Sequence, residues 1–232
     1  NGSWHGSVDQ TLFHSKRDLK PLPLSSGLDN QLINNVKILP YNDIEGSKKV
    51  LDKFAKEVSC LIIEPISASL PLEKSKKYLK FLRNYCDKKK IILIFDEIIT
   101  GVRTEKGSVQ NKFNIYPDIT LAGKIIGGGL PMSLILTNKK INEKIMKLKK
   151  KIFFGGTFSG NNYSILSCIN TLKYIKKNNE LIKKVLNSSS YFQNQLNKFL
   201  IKKNIKCRIY RFDSFLRIVF SEKEIKNRIS RD

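Results

Sequence analysis

The sequence predicts an α/β fold, a mostly parallel sheet with flanking helices, followed by the start of a smaller α+β C-terminal domain. Three observations predict it. Short, continuous apolar runs, 60–63 and 91–95, are separated by stretches of helical periodicity, the pattern of strands buried on both faces. The runs end at Glu64-Pro65 and at Asp96, and open sheets of this kind gather ligand chemistry at the carboxyl ends of their strands. Beyond about residue 175 the alternation gives way to one long Lys- and Asn-rich amphipathic stretch and two apolar segments split by Asp213-Ser214.

Each element follows from local pattern. Residues 1–45 are rich in Ser, Gly, Asp, Asn and Pro, so they read as irregular chain with turns at Pro21-Leu22-Pro23 and 40–43. A loop of that length in a compact protein tends to be functional. A helix is expected near 46–57, a strand over 60–63, a helix over 73–88 and a strand over 91–95 ending at Asp96. A third strand follows over 118–122, then a glycine-rich turn, a strand over 133–137, a helix near 139–150 and a helix starting near Asn162. A long helix and the two apolar segments 206–212 and 215–220 open the smaller α+β domain. The division expected is a large domain over 1–176 and a smaller one over 177–232, each incomplete.

Composition removes several classes of function. The 232 residues hold 43 Lys plus Arg against 20 Asp plus Glu, a formal net charge of +23. The lysines fall in doublets and triplets on the polar faces or ends of predicted helices, without interleaved aromatics, so a nucleic-acid surface is not the expected reading. No apolar run approaches the roughly 18 residues of a bilayer-spanning helix, so no membrane span is expected. Cys60, Cys86, Cys168 and Cys207 form no C-x-x-C pair and have no His at metal-ligand spacing. Reduced thiols, a cytoplasmic location and no metal are expected. The start, Asn1-Gly2-Ser3-Trp4-His5, has no initiator Met and no signal-peptide pattern, so a fragment of a longer chain is expected.

Three features carry chemistry. Asp96 follows a buried strand directly, so its carboxylate is expected at the ligand end of the sheet. Lys124 lies between Leu121-Ala122-Gly123 and Ile125-Ile126-Gly127-Gly128-Gly129, and apolar surroundings would desolvate its ammonium and lower its pKa, as an amine needs to form a Schiff base. The segment 154–161 is dense in glycines, hydroxyls and backbone N–H groups ahead of a helix, a turn that can hold a phosphate or simply cap the helix. An acid for a pyridine nitrogen, an amine for an aldehyde and donors for a phosphate together match the needs of pyridoxal 5'-phosphate (PLP).

These stretches carry a resemblance. Glu64-Pro65, Asp96-Glu97-Ile98-Ile99-Thr100-Gly101, Pro117-Asp118, Gly123-Lys124 with Gly127-Gly128-Gly129, and Gly156-Thr157-Phe158-Ser159-Gly160-Asn161 resemble the motifs of class III aminotransferases in order and spacing. Trp4-His5-Gly6 and Pro40-Tyr41-Asn42-Asp43 are most similar to the glutamate-1-semialdehyde 2,1-aminomutase group of that family. The resemblance implies the PLP-dependent transferase fold type I, a homodimer, and a small-molecule amino donor and carbonyl acceptor. It implies Lys124 as Schiff-base lysine and acid/base, Asp96 on the pyridinium nitrogen, Trp4 and Ile98 on the two ring faces, and Thr157 on the phosphate of the neighbouring subunit's cofactor. His5 and Glu97 match the motif too, and the resemblance implies for each a hydrogen bond that supports the cofactor-binding groups.

The sequence also departs from the family pattern. The family's phosphate loop lies upstream of the aromatic-His-Gly motif and has no counterpart here. After Glu64-Pro65 the usual glycine-containing loop is replaced by Ile66-Ser67-Ala68-Ser69-Leu70, where Ser69 stands in for the polar residue near the cofactor's 3'-oxygen. The expected activity is amino transfer through Lys124. The alternatives are intramolecular amino transfer by an aminomutase, a non-catalytic fragment, or a basic nucleic-acid-binding protein.

Overall fold

The computed structural model describes residues 2–16, 18–72, 75–221 and 225. Near the start, β1 (Phe13–Ser15) pairs antiparallel with β2 (Pro21–Pro23), where irregular chain and a turn are expected from sequence. Two prolines fit a strand here because a two-stranded ribbon is all edge and leaves one side of each strand without ladder bonds.

Helix α1 (Ile44–Phe54) starts at Asp43, whose carboxylate accepts the Gly46 N–H at 2.9 Å. Then come β3 (Cys60–Ile63), α2 (Ser75–Lys89), β4 (Ile92–Asp96), the short α3 (Val109–Phe113), β5 (Ile119–Gly123) and β6 (Ser133–Thr137). The sheet runs in the order β3, β4, β5, β6, with the first three parallel and β6 antiparallel to β5. The strands therefore fall within a residue of their expected positions.

Alternation along the strands places the core. Leu61, Ile63, Leu93 and Phe95 are buried on one face against Leu51 of α1 and Leu79, Leu82 and Cys86 of α2. Ile62, Ile92 and Ile94 face the other way and are only half-buried, so the full cover expected on both faces is realised on one. The chain continues through α4 (Lys139–Met146), α5 (Asn162–Lys177), α6 (Asn179–Lys202), β7 (Cys207–Phe212) and β8 (Phe215–Phe220). Asn197 of α6 holds β7 by accepting the Ile209 N–H at 2.8 Å and donating to its carbonyl at 3.1 Å.

The tip of the β7–β8 hairpin reaches back to the sheet domain. Asp213 pairs with Lys112 and accepts the Glu105 N–H at 3.1 Å, and the Ser214 hydroxyl donates to the Arg103 carbonyl at 2.8 Å. Phe212 meets Phe113 edge-on, with ring centroids 5.9 Å apart. Among the described residues no helix is long and apolar enough to cross a membrane, and no group of three or more His, Cys, Asp or Glu could hold a metal ion. All four cysteines are free thiols.

Candidate active site

Asp96 is the last residue of β4 and is 5% exposed. Its Oδ2 lies 2.8 Å from His5 Nδ1, and its Oδ1 accepts the Ile98 N–H at 3.2 Å. An ionised carboxylate only accepts, so Nδ1 carries the hydrogen of that pair. The parallel register sets Ile63 beside Phe95, so the next residues, Glu64 and Asp96, emerge side by side. Glu64 is also buried. Its Oε1 accepts the Trp4 N–H at 3.2 Å and its Oε2 the Ala68 N–H at 2.8 Å. Burial pushes the Glu64 carboxyl above the usual carboxylate range; the Ala68 and Trp4 N–H groups and His5 pull it back, and Asp96 adds to the rise.

The turn after β3 closes the same cluster. Ser69 Oγ donates to the Gly2 carbonyl at 3.1 Å and lies 2.8 Å from Ser67 Oγ. The Tyr41 hydroxyl reaches the carbonyl oxygens of Glu64 and Pro65 at 3.0 and 3.1 Å. Trp4, His5, Ser69 and Asp96 thus meet at the carboxyl ends of β3 and β4, with the Trp4 side chain left 54% exposed.

Lys124 follows β5 and opens a 3₁₀ turn, Lys124–Gly127, closed by the Gly128 N–H on the Ile125 carbonyl at 3.1 Å. Its φ of 51° is left-handed, a conformation that costs a residue with a side chain about 1–3 kcal/mol and persists only where the surroundings enforce it. The expected apolar enclosure of Lys124 is not met: the turn buries Ile126 and Gly127 and leaves Lys124 exposed. Ile98 does come to this position. A Cβ on Gly123 would lie 3.4 Å from Ile98 Cγ2, so Ile98 packs on the backbone immediately before Lys124. At Gly128, with φ of 60°, a Cβ would collide with Thr171 Oγ1 and Ser167 Oγ, while Ser167 Oγ donates to the Gly127 carbonyl at 2.8 Å. The glycines let α5 seat directly on the lysine turn.

Thr157 lies apart, in an exposed turn over residues 157–160. Among the described residues no hydrogen bond or ion pair joins it to Asp96 or Lys124. The turn is closed by the Ser159 N–H on the Gly156 carbonyl at 2.9 Å, and Asn161 caps α5 by accepting the Ser164 N–H at 3.0 Å. Around it stand exposed aromatics: Phe153 (88%), Phe154 (69%), Phe158 (82%) and Tyr163 (78%).

Two carboxylates have roles that pattern alone did not supply. Glu64 clasps the Trp4 segment. Glu97, 1% exposed, accepts from Thr100 Oγ1 (2.9 Å), Val109 N–H (2.8 Å) and Gln110 N–H (3.0 Å), fixing the turn after Asp96 to the start of α3. The signal available in sequence was an acid immediately after a buried strand, twice.

The family described as Aminotransferase class-III matches residues 1–227. The glutamate-1-semialdehyde 2,1-aminomutase of Methanocaldococcus jannaschii is 34% identical over 230 residues, covering 98% of this chain and 53% of the relative. That of Wigglesworthia glossinidia brevipalpis is 36% identical over 226 residues, covering 95% and 52%. The chain spans about half the length of the curated relatives it matches. Among solved structures, an omega-transaminase from Sphaerobacter thermophilus superposes with a TM-score of 0.89 at 21% identity, over 100% of this chain and 55% of that one. A glutamate-1-semialdehyde aminomutase from Pseudomonas aeruginosa PAO1 gives 0.77 at 18% identity, over 98% and 52%. These likenesses show a shared fold, the fold type I of the PLP-dependent transaminases.

Proposed function

Because the chain belongs to the class III aminotransferase family, we propose that it carries the catalytic face of a PLP-dependent enzyme that moves an amino group from a small amino donor to a carbonyl acceptor. The single observation that carries this reading is the buried Asp96 carboxylate, held by His5 at the end of β4, beside the end of the neighbouring parallel strand β5 that Lys124 directly follows. The donor set fits the cofactor: Asp96 for the ring nitrogen, the exposed Lys124 amine for the aldehyde, Trp4 and Ile98 for the ring faces, and Ser69 near the 3'-oxygen. When bound, PLP supplies an electron sink for the carbon that loses its proton.

The chain's own residues supply the rest. The two Asp96 oxygens, each already taking one N–H, keep lone pairs free to hold a proton on the ring nitrogen. His5 fixes the orientation of that carboxylate and opposes its rotation. Lys124 Nζ is the group that carries a proton to and from the reacting carbon, and its exposure leaves it reachable by cofactor. Thr157 and its turn serve the phosphate of a neighbouring subunit, so the enzyme is a homodimer; the exposed aromatics around Thr157 support a second copy on this surface, since monomers rarely leave such patches bare. The cofactor domain extends to about residue 176 and the smaller domain starts at about 177. Four free thiols support a cytoplasmic location.

The names of the relatives in hand favour a second reading, intramolecular amino transfer on glutamate-1-semialdehyde. Conversion of that compound by the enzyme without any added amino donor would select it over plain transamination. The first test is direct. Added PLP is expected to give a visible absorption band that Lys124→Ala abolishes, with borohydride fixing the label on Lys124; a band that survives the substitution would overturn the reading.

A further inference from the structure

The segment 2–6 that bears Trp4 and His5 belongs to no helix or strand, so no backbone ladder holds it. Side chains at and beyond the strand ends hold it, Ser69 on the Gly2 carbonyl, Glu64 on the Trp4 N–H and Asp96 on His5, while the Thr11 hydroxyl reaches the His5 and Gly6 carbonyls at 3.2 and 3.3 Å. Glu64 bridges this segment to the turn after β3, taking the Trp4 N–H with one oxygen and the Ala68 N–H with the other. We propose that Glu64 is a positioning residue for the cofactor site, a two-sided clasp that sets Trp4 and the His5–Asp96 pair in register with the turn carrying Ser69.

The choice of residue fits the task. A buried carboxylate is costly to keep ionised, and Glu64 is 4% exposed, so a merely space-filling role would be met better by an apolar side chain. Two N–H groups on opposite oxygens require two acceptors. Gln of the same shape offers one acceptor and one amide NH₂, so it leaves either Trp4 or Ala68 facing a donor. Bonds to an ionised acceptor are also the stronger kind. The titratable groups facing it are Asp96 and His5 from the adjoining strand end and segment, and the Tyr41 hydroxyl, which packs on the backbone carbonyl of Glu64 itself.

The proposal rests on the PLP reading but has a readout independent of it. Trp4 is the single tryptophan of the chain, so fluorescence excited at the red edge of the tryptophan band, which the 8 tyrosines do not share, reports this segment alone. In the cofactor-free chain, Glu64→Gln is expected to increase acrylamide quenching of Trp4 and shift its emission, with unchanged far-ultraviolet circular dichroism. With PLP added, the Lys124-dependent band is expected to need roughly tenfold more cofactor, the size of one unsatisfied buried donor. Unchanged quenching, or altered quenching with unchanged PLP affinity, overturns the proposal. Should Glu64→Gln fail to fold, hydrogen exchange on the unsubstituted chain decides: protected Trp4 and Ala68 amides support the clasp, and exchange at the rate of free peptide overturns it. A missing Lys124-dependent band in the unsubstituted chain is a different failure, that of the PLP reading, and removes the positioning role with it.

Discussion

Backbone conformation at single residues shapes the lysine turn. Lys124 sits at φ 51°, Gly128 at φ 60° and Gly129 at φ 99°, and these positive angles lie in the connection 124–132 that reverses the chain between β5 and β6. Gly128 has a second constraint, the hydroxyls of Ser167 and Thr171 against the place a Cβ would take. Gly128→Ala is therefore expected to destabilise the chain by about 1–3 kcal/mol, read as a lowered urea midpoint, because both the conformation and the contact oppose it. Ser167→Ala combined with Thr171→Ala, which clears the space, should recover part of that loss and leave the conformational part.

Among elements, the join between strands and helices is concentrated at Asp118. It accepts the Leu93 N–H at 2.9 Å, Arg83 Nη1 at 3.0 Å and Asn138 Nδ2 at 3.1 Å, tying β4, α2 and the cap of α4 to the start of β5. Burial works to raise its carboxyl, but the Leu93 N–H and Arg83 outweigh it and hold Asp118 below the usual carboxylate range. A carboxylate with a depressed folded pKa contributes stability above its unfolded value, near 3.9, and loses it as pH falls through the folded value. Asp118→Ala is accordingly expected to cost about 1–2 kcal/mol at pH 7, and the gap from the unsubstituted chain should narrow in urea titrations taken below about pH 4. A gap independent of pH would show that packing, not charge, holds the join.

The element scale also shows what pattern could reveal. Strands β3, β4 and β5 were legible because continuous Ile- and Leu-rich runs between amphipathic helices have few other uses. Helix α3 was not, since five residues carry no helical repeat; it exists because Ser108 caps it and Glu97 anchors its first N–H groups. The β1–β2 ribbon was hidden by its two prolines and three-residue length.

For the whole molecule, the Asp213–Lys112 contact and the Phe113–Phe212 edge join the C-terminal hairpin to α3. The opposite extreme is the stretch from Phe153 to Tyr163, whose aromatics meet little of their own chain. Under the homodimer reading, sedimentation velocity is expected to find a dimer, and Phe158→Ser to shift it toward monomer by weakening an apolar contact. A monomer at all concentrations, with or without the substitution, would count against that reading.

The sequence by itself determined the α/β class and the positions of β3 to β6, and it singled out Asp96 and Lys124 as candidates, because these depend on local periodicity and on motifs contiguous along the chain. Only the tertiary structure decided that His5 meets Asp96 across 91 residues, that Glu64 holds Trp4 across 60, and that Lys124 stands exposed in a left-handed turn. Such pairings follow from parallel register and chain reversal, which bring together groups that no local pattern relates.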